Sequence, residues 1–119
     1  LCGVLTVDGG TNRIIEYFGP GAAEISATGK GTITNMGAEL GATTSMFPFD
    51  GRMEAYLRGT SRAALADLAK KHAALLVADP EVEKSPEKYF QRIVEIDLNA
   101  AERAMFQKSV ELLVTNANR

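Results

Sequence analysis

The chain has 119 residues, 45% of them hydrophobic and 24% charged, with one cysteine. That is the composition of a globular domain or part of one, and it excludes disordered, collagenous and disulfide-stapled classes. Thirteen basic against fifteen acidic residues give a formal net charge of -2 without any block of like charge, so no footprint for nucleic acid or an acidic membrane stands out, and no apolar run approaches the roughly 20 residues that span a bilayer.

In chain order, Val4 to Val7, a turn at Asp8-Gly9-Gly10-Thr11-Asn12, and Ile14 to Phe18 form two short β-rich runs around glycines, the local signature of a hairpin. Pro20, which lacks an amide hydrogen, ends the second run. Residues 22 to 40 have helical spacing, with Ile25, Gly29, Ile33, Met36 and Leu40 on one side. Thr28, Thr32, Asn35 and Glu39 form an adjoining polar stripe at i, i+4, i+7 and i+11. Gly29 and Gly31 each cost this helix about 1 kcal/mol relative to alanine, which predicts a kink or a close backbone approach.

Gly41 is a candidate helix C-cap. Thr43 to Phe47 then reads as a strand that Pro48 ends, so strand, helix and strand make an α/β unit. Asp50 is placed to cap a short helix carrying Met53, Tyr56 and Leu57, with Gly59 as its stop and Thr60 or Ser61 as the next cap. The following helix, about 62 to 77, aligns Leu65, Leu68, His72, Leu75 and Leu76 as a burial stripe. Residues 79 to 88, with Pro80 and Pro86 among charges, read as an exposed connection. Arg92 to Leu98 alternates polar and apolar like a half-buried strand. Helical pattern resumes from Asn99 to about Val114, and the end is expected to fray. The expected fold class is therefore α/β, with short strands and about four helices. A chain this size would bury roughly two-thirds of its unfolded surface around a thin core.

Few residues suggest chemistry. His72 is the only histidine and sits on a leucine stripe, which favours a structural role, and Cys2 alone completes neither a disulfide nor a metal site. The lone cysteine suits a reducing compartment. Gly29-Lys30-Gly31-Thr32 superficially suggests a phosphate loop, but Gly31 stands where a hydroxyl is required. Gly19 and Gly21 lack the third glycine of a dinucleotide fingerprint. A carboxylate pair could be drawn from Glu16, Glu39 and Asp50. The Thr28, Thr32, Asn35, Glu39 stripe is more informative, because neutral hydrogen-bonding groups with one carboxylate beside an apolar stripe suit a polar pocket wall as well as a solvated face.

The runs Val4-Leu5-Thr6-Val7-Asp8-Gly9-Gly10-Thr11, Glu16-Tyr17-Phe18-Gly19-Pro20-Gly21, Thr32-Ile33-Thr34-Asn35-Met36-Gly37-Ala38-Glu39-Leu40-Gly41-Ala42-Thr43-Thr44-Ser45 and Phe47-Pro48 resemble the aconitases of mitochondrial type, the aconitate hydratases. The resemblance runs from Leu1 to Leu98. It implies a partial aconitase-like α/β domain over 1–98 and an unrelated helical tail over 99–119. It also implies interconversion of citrate and isocitrate through cis-aconitate on a 4Fe-4S cluster, in a bacterial cytoplasm or the mitochondrial matrix. In the family, the asparagine and glutamate of this motif approach the cluster iron and its bound water or hydroxyl, which carries over to Asn35 and Glu39 as catalytic residues. Thr28 and Thr32 would stand behind them.

The family's Ser-Cys-Thr-Asn segment, its Cys-x-x-Cys pair, its substrate-binding arginines and its serine base are absent here. Ala27 and Thr34 replace cysteines of many relatives that are not cluster ligands. The start at Leu1 and the missing cluster cysteines predict a fragment that binds no cluster and is inactive without the remaining aconitase domains. The alternative is a non-catalytic interaction piece whose tail docks elsewhere through Met105, Phe106, Val110 and Leu113. RNA binding, known in one branch of the superfamily, finds no basic patch here.

Overall fold

The computed structural model describes residues 9–101. The Val4–Val7 arm of the expected hairpin, Cys2, and the tail beyond Ala101 lie outside the described residues. Strand β1 (Ile14–Glu16) pairs in parallel with β2 (Thr44–Met46), Ile14 opposite Thr44 and Glu16 opposite Met46. Parallel partners require a crossover. Here it carries helices α1 (Pro20–Glu24) and α2 (Ala27–Asn35), giving the expected α/β unit. The pairing continues as the Tyr17 amide donates to the Met46 carbonyl at 3.0 Å, and the Tyr17 and Phe47 rings stack with centroids 4.3 Å apart.

The single helix expected over 22 to 40 is instead two helices followed by turns. Ser26 starts the second one: its side chain accepts from the Gly29 amide at 3.1 Å, while Ile25 is extended and breaks the first. Of the two glycines, Gly29 is the site of close approach, since a Cβ there would lie 2.9 Å from Ile25 Cγ2; around Gly31 the space is open. Helix α2 stops at Asn35. Beyond Met36 the hydrogen bonds shorten to i→i+3, from Glu39 to Met36 and from Leu40 to Gly37. Gly41, at φ +73°, closes these turns, with its amide donating to Ala38 and the Ala42 amide to Gly37. This is a Schellman arrangement, but it closes the turns and not a helix: the C-cap of α2 is Met36, five residues before the expected cap at Gly41.

Helix α3 (Gly51–Gly59) is capped by Asp50, which accepts from the Met53 amide at 3.0 Å. It ends at Gly59, the expected stop, and the left-handed residue that closes it is Ser61, at φ +61°, with Ser61 donating to Arg58 and Arg62 to Leu57, again a Schellman arrangement. Neither Thr60 nor Ser61 caps α4 (Ala63–Lys71): the Thr60 hydroxyl donates back to Tyr56 at 2.7 Å, and Arg62 stands at the cap position without a side-chain bond. Ala66, fully buried, marks the α3–α4 packing. Arg58 donates to Glu54 and Asp67, and Lys70 to Glu54, tying the two helices together on their exposed side.

Helix α4 ends at Lys71, short of 77, and a 3-10 turn covers residues 73–75. The leucine stripe is not buried among the described residues: Leu65 and Leu68 are more than half exposed and Leu75 is 81% exposed. Small Ala66, one position away, allows the close approach of α3 and occupies the buried face instead. The connection over 79 to 88 holds short helical turns, α5 (Pro80–Lys84) and a 3-10 turn at 86–88, each with proline in its first turn, where no amide is needed.

Residues 92–97 have no strand partner among the described residues, so the predicted strand is not formed. The alternation survives as burial, with Val94 and Ile96 half-buried and their neighbours exposed. This segment lies back over the start of the fold. Phe90 stacks on Phe18 at 5.6 Å, Arg13 donates to Gln91 at 2.9 Å, and a Cβ on Gly21 would lie 3.1 Å from Leu98. Asp97 then accepts from the Asn99 amide and opens helix at residues 98–101.

Leu40 and Ala66 are the buried hydrophobics among the described residues. The Cα radius of gyration is 17.3 Å, against about 13 Å for a compact 100-residue domain. The core is thinner than chain length alone predicts. No helix among the described residues is long and apolar enough to cross a membrane.

Candidate functional site

Asn35 is the last residue of α2, and Glu39 lies in the turns after it. Both are exposed, and neither side chain has a hydrogen-bond partner among the described residues. The backbone that carries them is tied down. The Ser45 hydroxyl on β2 donates to the Thr34 carbonyl at 3.2 Å, and the Thr34 hydroxyl donates to the Lys30 and Gly31 carbonyls. Leu40, only 1% exposed, accepts through its carbonyl from the Gly10 amide at 3.0 Å. Gly37 has no room for a side chain, since a Cβ would sit 2.9 Å from both Ser45 Oγ and the Thr34 carbonyl. A glycine-rich turn pressed against a strand thus carries two polar side chains that are unpartnered among the described residues.

A hollow of about 280 Å³ opens beside this turn, walled by Thr34, Asn35, Gly37 and Ala38 on one side and by residues 42–45 on the other. Asn35 lines it; Glu39 does not. Thr28 lines a different hollow, of about 260 Å³, with Ser26, Arg52 and Tyr56. Thr32 lines neither, and its hydroxyl donates to the Thr28 carbonyl at 3.1 Å. The four-residue stripe therefore does not make one continuous wall, because α2 ends before Glu39, Thr28 lines another hollow and the Thr32 hydroxyl bonds within the helix.

The carboxylate pairing drawn from Glu16, Glu39 and Asp50 is not assembled around Asp50, which is committed elsewhere. Asp50 Oδ2 accepts from the Lys30 ammonium and Oδ1 from the Met53 amide. Burial opposes ionisation of Asp50, but the Lys30 ammonium and the Met53 amide outweigh it and hold the carboxyl below its ordinary 3.8. Lys30 is 2% exposed, and its ammonium lies 5.7 Å from the centroid of the Phe47 ring. Sequence reading weighed this lysine only as a phosphate-loop residue and missed the pair. The available signal was a lone lysine one turn from Ile33 on an otherwise uncharged helix. His72 is exposed at the end of α4, and no group of three His, Cys, Asp or Glu among the described residues could hold a metal ion.

Residues 1–109 match the family model described as the aconitase family (aconitate hydratase). The mitochondrial aconitate hydratase of Schizosaccharomyces pombe is 53% identical over 102 residues, covering 86% of this chain and 12% of that protein. The mitochondrial enzyme of Saccharomyces cerevisiae is 53% identical over 103 residues, with the same coverage of 86% and 12%. That of the red alga Gracilaria gracilis is 47% identical over 102 residues, again covering 86% and 12%. The chain spans about 12% of the length of these relatives. With a match over almost all of its residues, the chain belongs to the aconitase family.

Proposed function

We propose that this chain is the part of an aconitate hydratase that presents Asn35 and Glu39 to the reacting hydroxyl, in the reversible conversion of citrate to isocitrate through cis-aconitate. The observation that carries the reading is the Asn35–Glu39 turn, whose backbone is fixed by hydrogen bonds and close packing while both polar side chains stay unengaged among the described residues. Among the described residues such a turn spends neither of these two polar side chains on its own fold. In dehydration a carbon–hydrogen bond breaks, its proton going to a base outside this chain, its electron pair forms the carbon–carbon double bond, and the carbon–oxygen bond on the neighbouring carbon breaks, the hydroxyl taking up a proton to leave as water; hydration reverses these changes. In this reading Glu39 hydrogen-bonds that hydroxyl or water and exchanges a proton with it. The Asn35 amide both donates and accepts, and orients the same oxygen.

Membership of the family implies a 4Fe-4S cluster in the complete enzyme. The residues of this chain do not fit that group: a cluster is held by several thiolates, and the chain has one cysteine. Its ligands belong to other parts of the enzyme, and the isolated chain is inactive in this reading. The exposed leucines of α4 support burial of that face against the remaining domains. The mitochondrial names of the relatives support the matrix as the compartment rather than a bacterial cytoplasm.

The test uses a whole enzyme, the S. pombe mitochondrial aconitate hydratase with residues 1–109 of this chain in place of its matched segment. Glu39→Gln in that chimera should lower turnover by about 10² or more, with iron and sulfide content unchanged. Turnover equal to that of the unmutated chimera would refute the assignment.

A further inference from the structure

Lys30 is the buried charged residue among the described residues, and the proposed chemistry does not use it. Three segments meet at its ammonium, and a fourth packs behind one of them. Lys30 itself is central in α2; Asp50, its partner, caps α3; Phe47, under the ammonium, directly follows β2; and Tyr17, stacked on Phe47, directly follows β1. Asn35 is five residues further along the same helix, about 7.5 Å by helical rise. The two ends of this span are held differently. At the Asn35 end the Ser45 hydroxyl binds the Thr34 carbonyl, and at the Lys30 end the ion pair binds α3. Two anchors on one short helix fix both its position and its tilt, so releasing the Lys30 anchor leaves α2 free to pivot about Ser45.

We infer that Lys30 and Asp50 form a positioning pair, which sets the tilt of α2 and thereby the placement of Asn35 and of the turn that carries Glu39. The inference rests on the catalytic reading of Asn35 and Glu39. A neutral pair of the same shape would hold the helix nearly as well, whereas removing one partner strands a buried charge that pulls toward solvent and drags α2 with it. The consequence is specific. Single substitutions disturb the site, and the matched double substitution repairs it.

The experiment measures kcat, KM and iron and sulfide per protein in the chimera described above, for Lys30→Met, Asp50→Asn, the double variant, and Lys30→Met in an Asn35→Ala background. Asparagine still caps α3, so Asp50→Asn removes the charge while keeping the helix start, and it carries the test if Lys30→Met does not fold. The expected result is a kcat per loaded cluster about tenfold lower or more in each single variant, since small misplacements of catalytic groups are costly, with KM unchanged. The double variant should return to within about threefold of the parent. In the Asn35→Ala background, Lys30→Met should cost less than in the parent, because only the part that acts through Glu39 remains. A merely structural pair would lower thermal stability and leave kcat per loaded cluster untouched. That outcome overturns the inference, as does a double variant no better than the singles, or a Lys30→Met loss undiminished without Asn35. Failure of the underlying reading shows separately, as full turnover in Glu39→Gln; failure of this inference alone shows as an impaired Glu39→Gln beside fully active Lys30→Met and Asp50→Asn.

Discussion

Replacing Gly37 and Gly31 by alanine, one at a time, probes how the Asn35–Glu39 turn is held. Both glycines lie in or just beyond α2, and helix propensity alone says that alanine should be the better residue at each. At Gly31 nothing lies within 4 Å of an added Cβ, so alanine should stabilise by about 1 kcal/mol. At Gly37 the new methyl would meet Ser45 Oγ and the Thr34 carbonyl, each at 2.9 Å. The carbonyl cannot retreat cheaply, because it accepts from both the Gly37 amide at 3.0 Å and the Ser45 hydroxyl at 3.2 Å. Overpacking of that kind costs about 1–3 kcal/mol. With a urea m-value of about 1.5 kcal/mol per molar, the Gly31 variant should unfold about 0.7 M later and the Gly37 variant about 0.7–2 M earlier, at equal slopes. Far-UV circular dichroism of the 119-residue chain during a urea titration reads both. Midpoints that shift in the same direction would mean that the turn does not pack on β2 as described.

Three further outcomes follow from the packing. Leu40→Ala removes the larger of the two hydrophobics buried among the described residues and should cost about 2–5 kcal/mol, read as an early urea midpoint; a loss under about 1 kcal/mol, below even the mild end of core truncations, contradicts its burial. Ser61→Gly relieves a left-handed conformation at φ +61° and should stabilise by about 1 kcal/mol, visible as a higher melting temperature. Asp50 has a folded-state pKa below its ordinary 3.8, so the unfolded chain takes up the proton first. Its stabilising contribution is complete above 3.8 and disappears as pH falls through the lower folded value. Asp50→Asn should therefore flatten the acid limb of stability against pH, and an acid limb unchanged by that substitution rules out the pairing.

What sequence made legible was mostly local. Asp50 as a cap and a strand stopping short of Pro48 follow from the conformation one residue type prefers, and both are found, the strand as Thr44–Met46 and not through Phe47; Gly41 closes a turn and not the helix it was expected to cap. The long helix over 22 to 40 failed because periodicity does not register a competing start: Ser26 offers its hydroxyl to the Gly29 amide and resets the helix. Glu39 left the helix for a similar reason, since Gly37 against Ser45 favours a tight turn over another helical turn. The burial of Lys30 depends on an acidic partner twenty residues away, a relation that no local pattern contains. Leu65, Leu68 and Leu75 form a stripe that the described residues leave uncovered, so amphipathic spacing identified the apolar face without saying what meets it. For Asn35 and Glu39, sequence supplied identity through resemblance, while their unequal settings, one in a hollow and one outside it, required coordinates.

The segment from Gly10 to Arg13 closes the Asn35–Glu39 turn from outside: Gly10 donates to Leu40, Thr11 bridges Ala42, and Arg13 accepts from Thr43. About thirty residues separate the two sides, so ring closure of that length must be met before the turn gains its supports. A synthetic peptide reproducing only residues 32–45 would lack half of the scaffold and should sample many conformers. Anyone transplanting this turn into another framework would have to carry residues 10–13 with it.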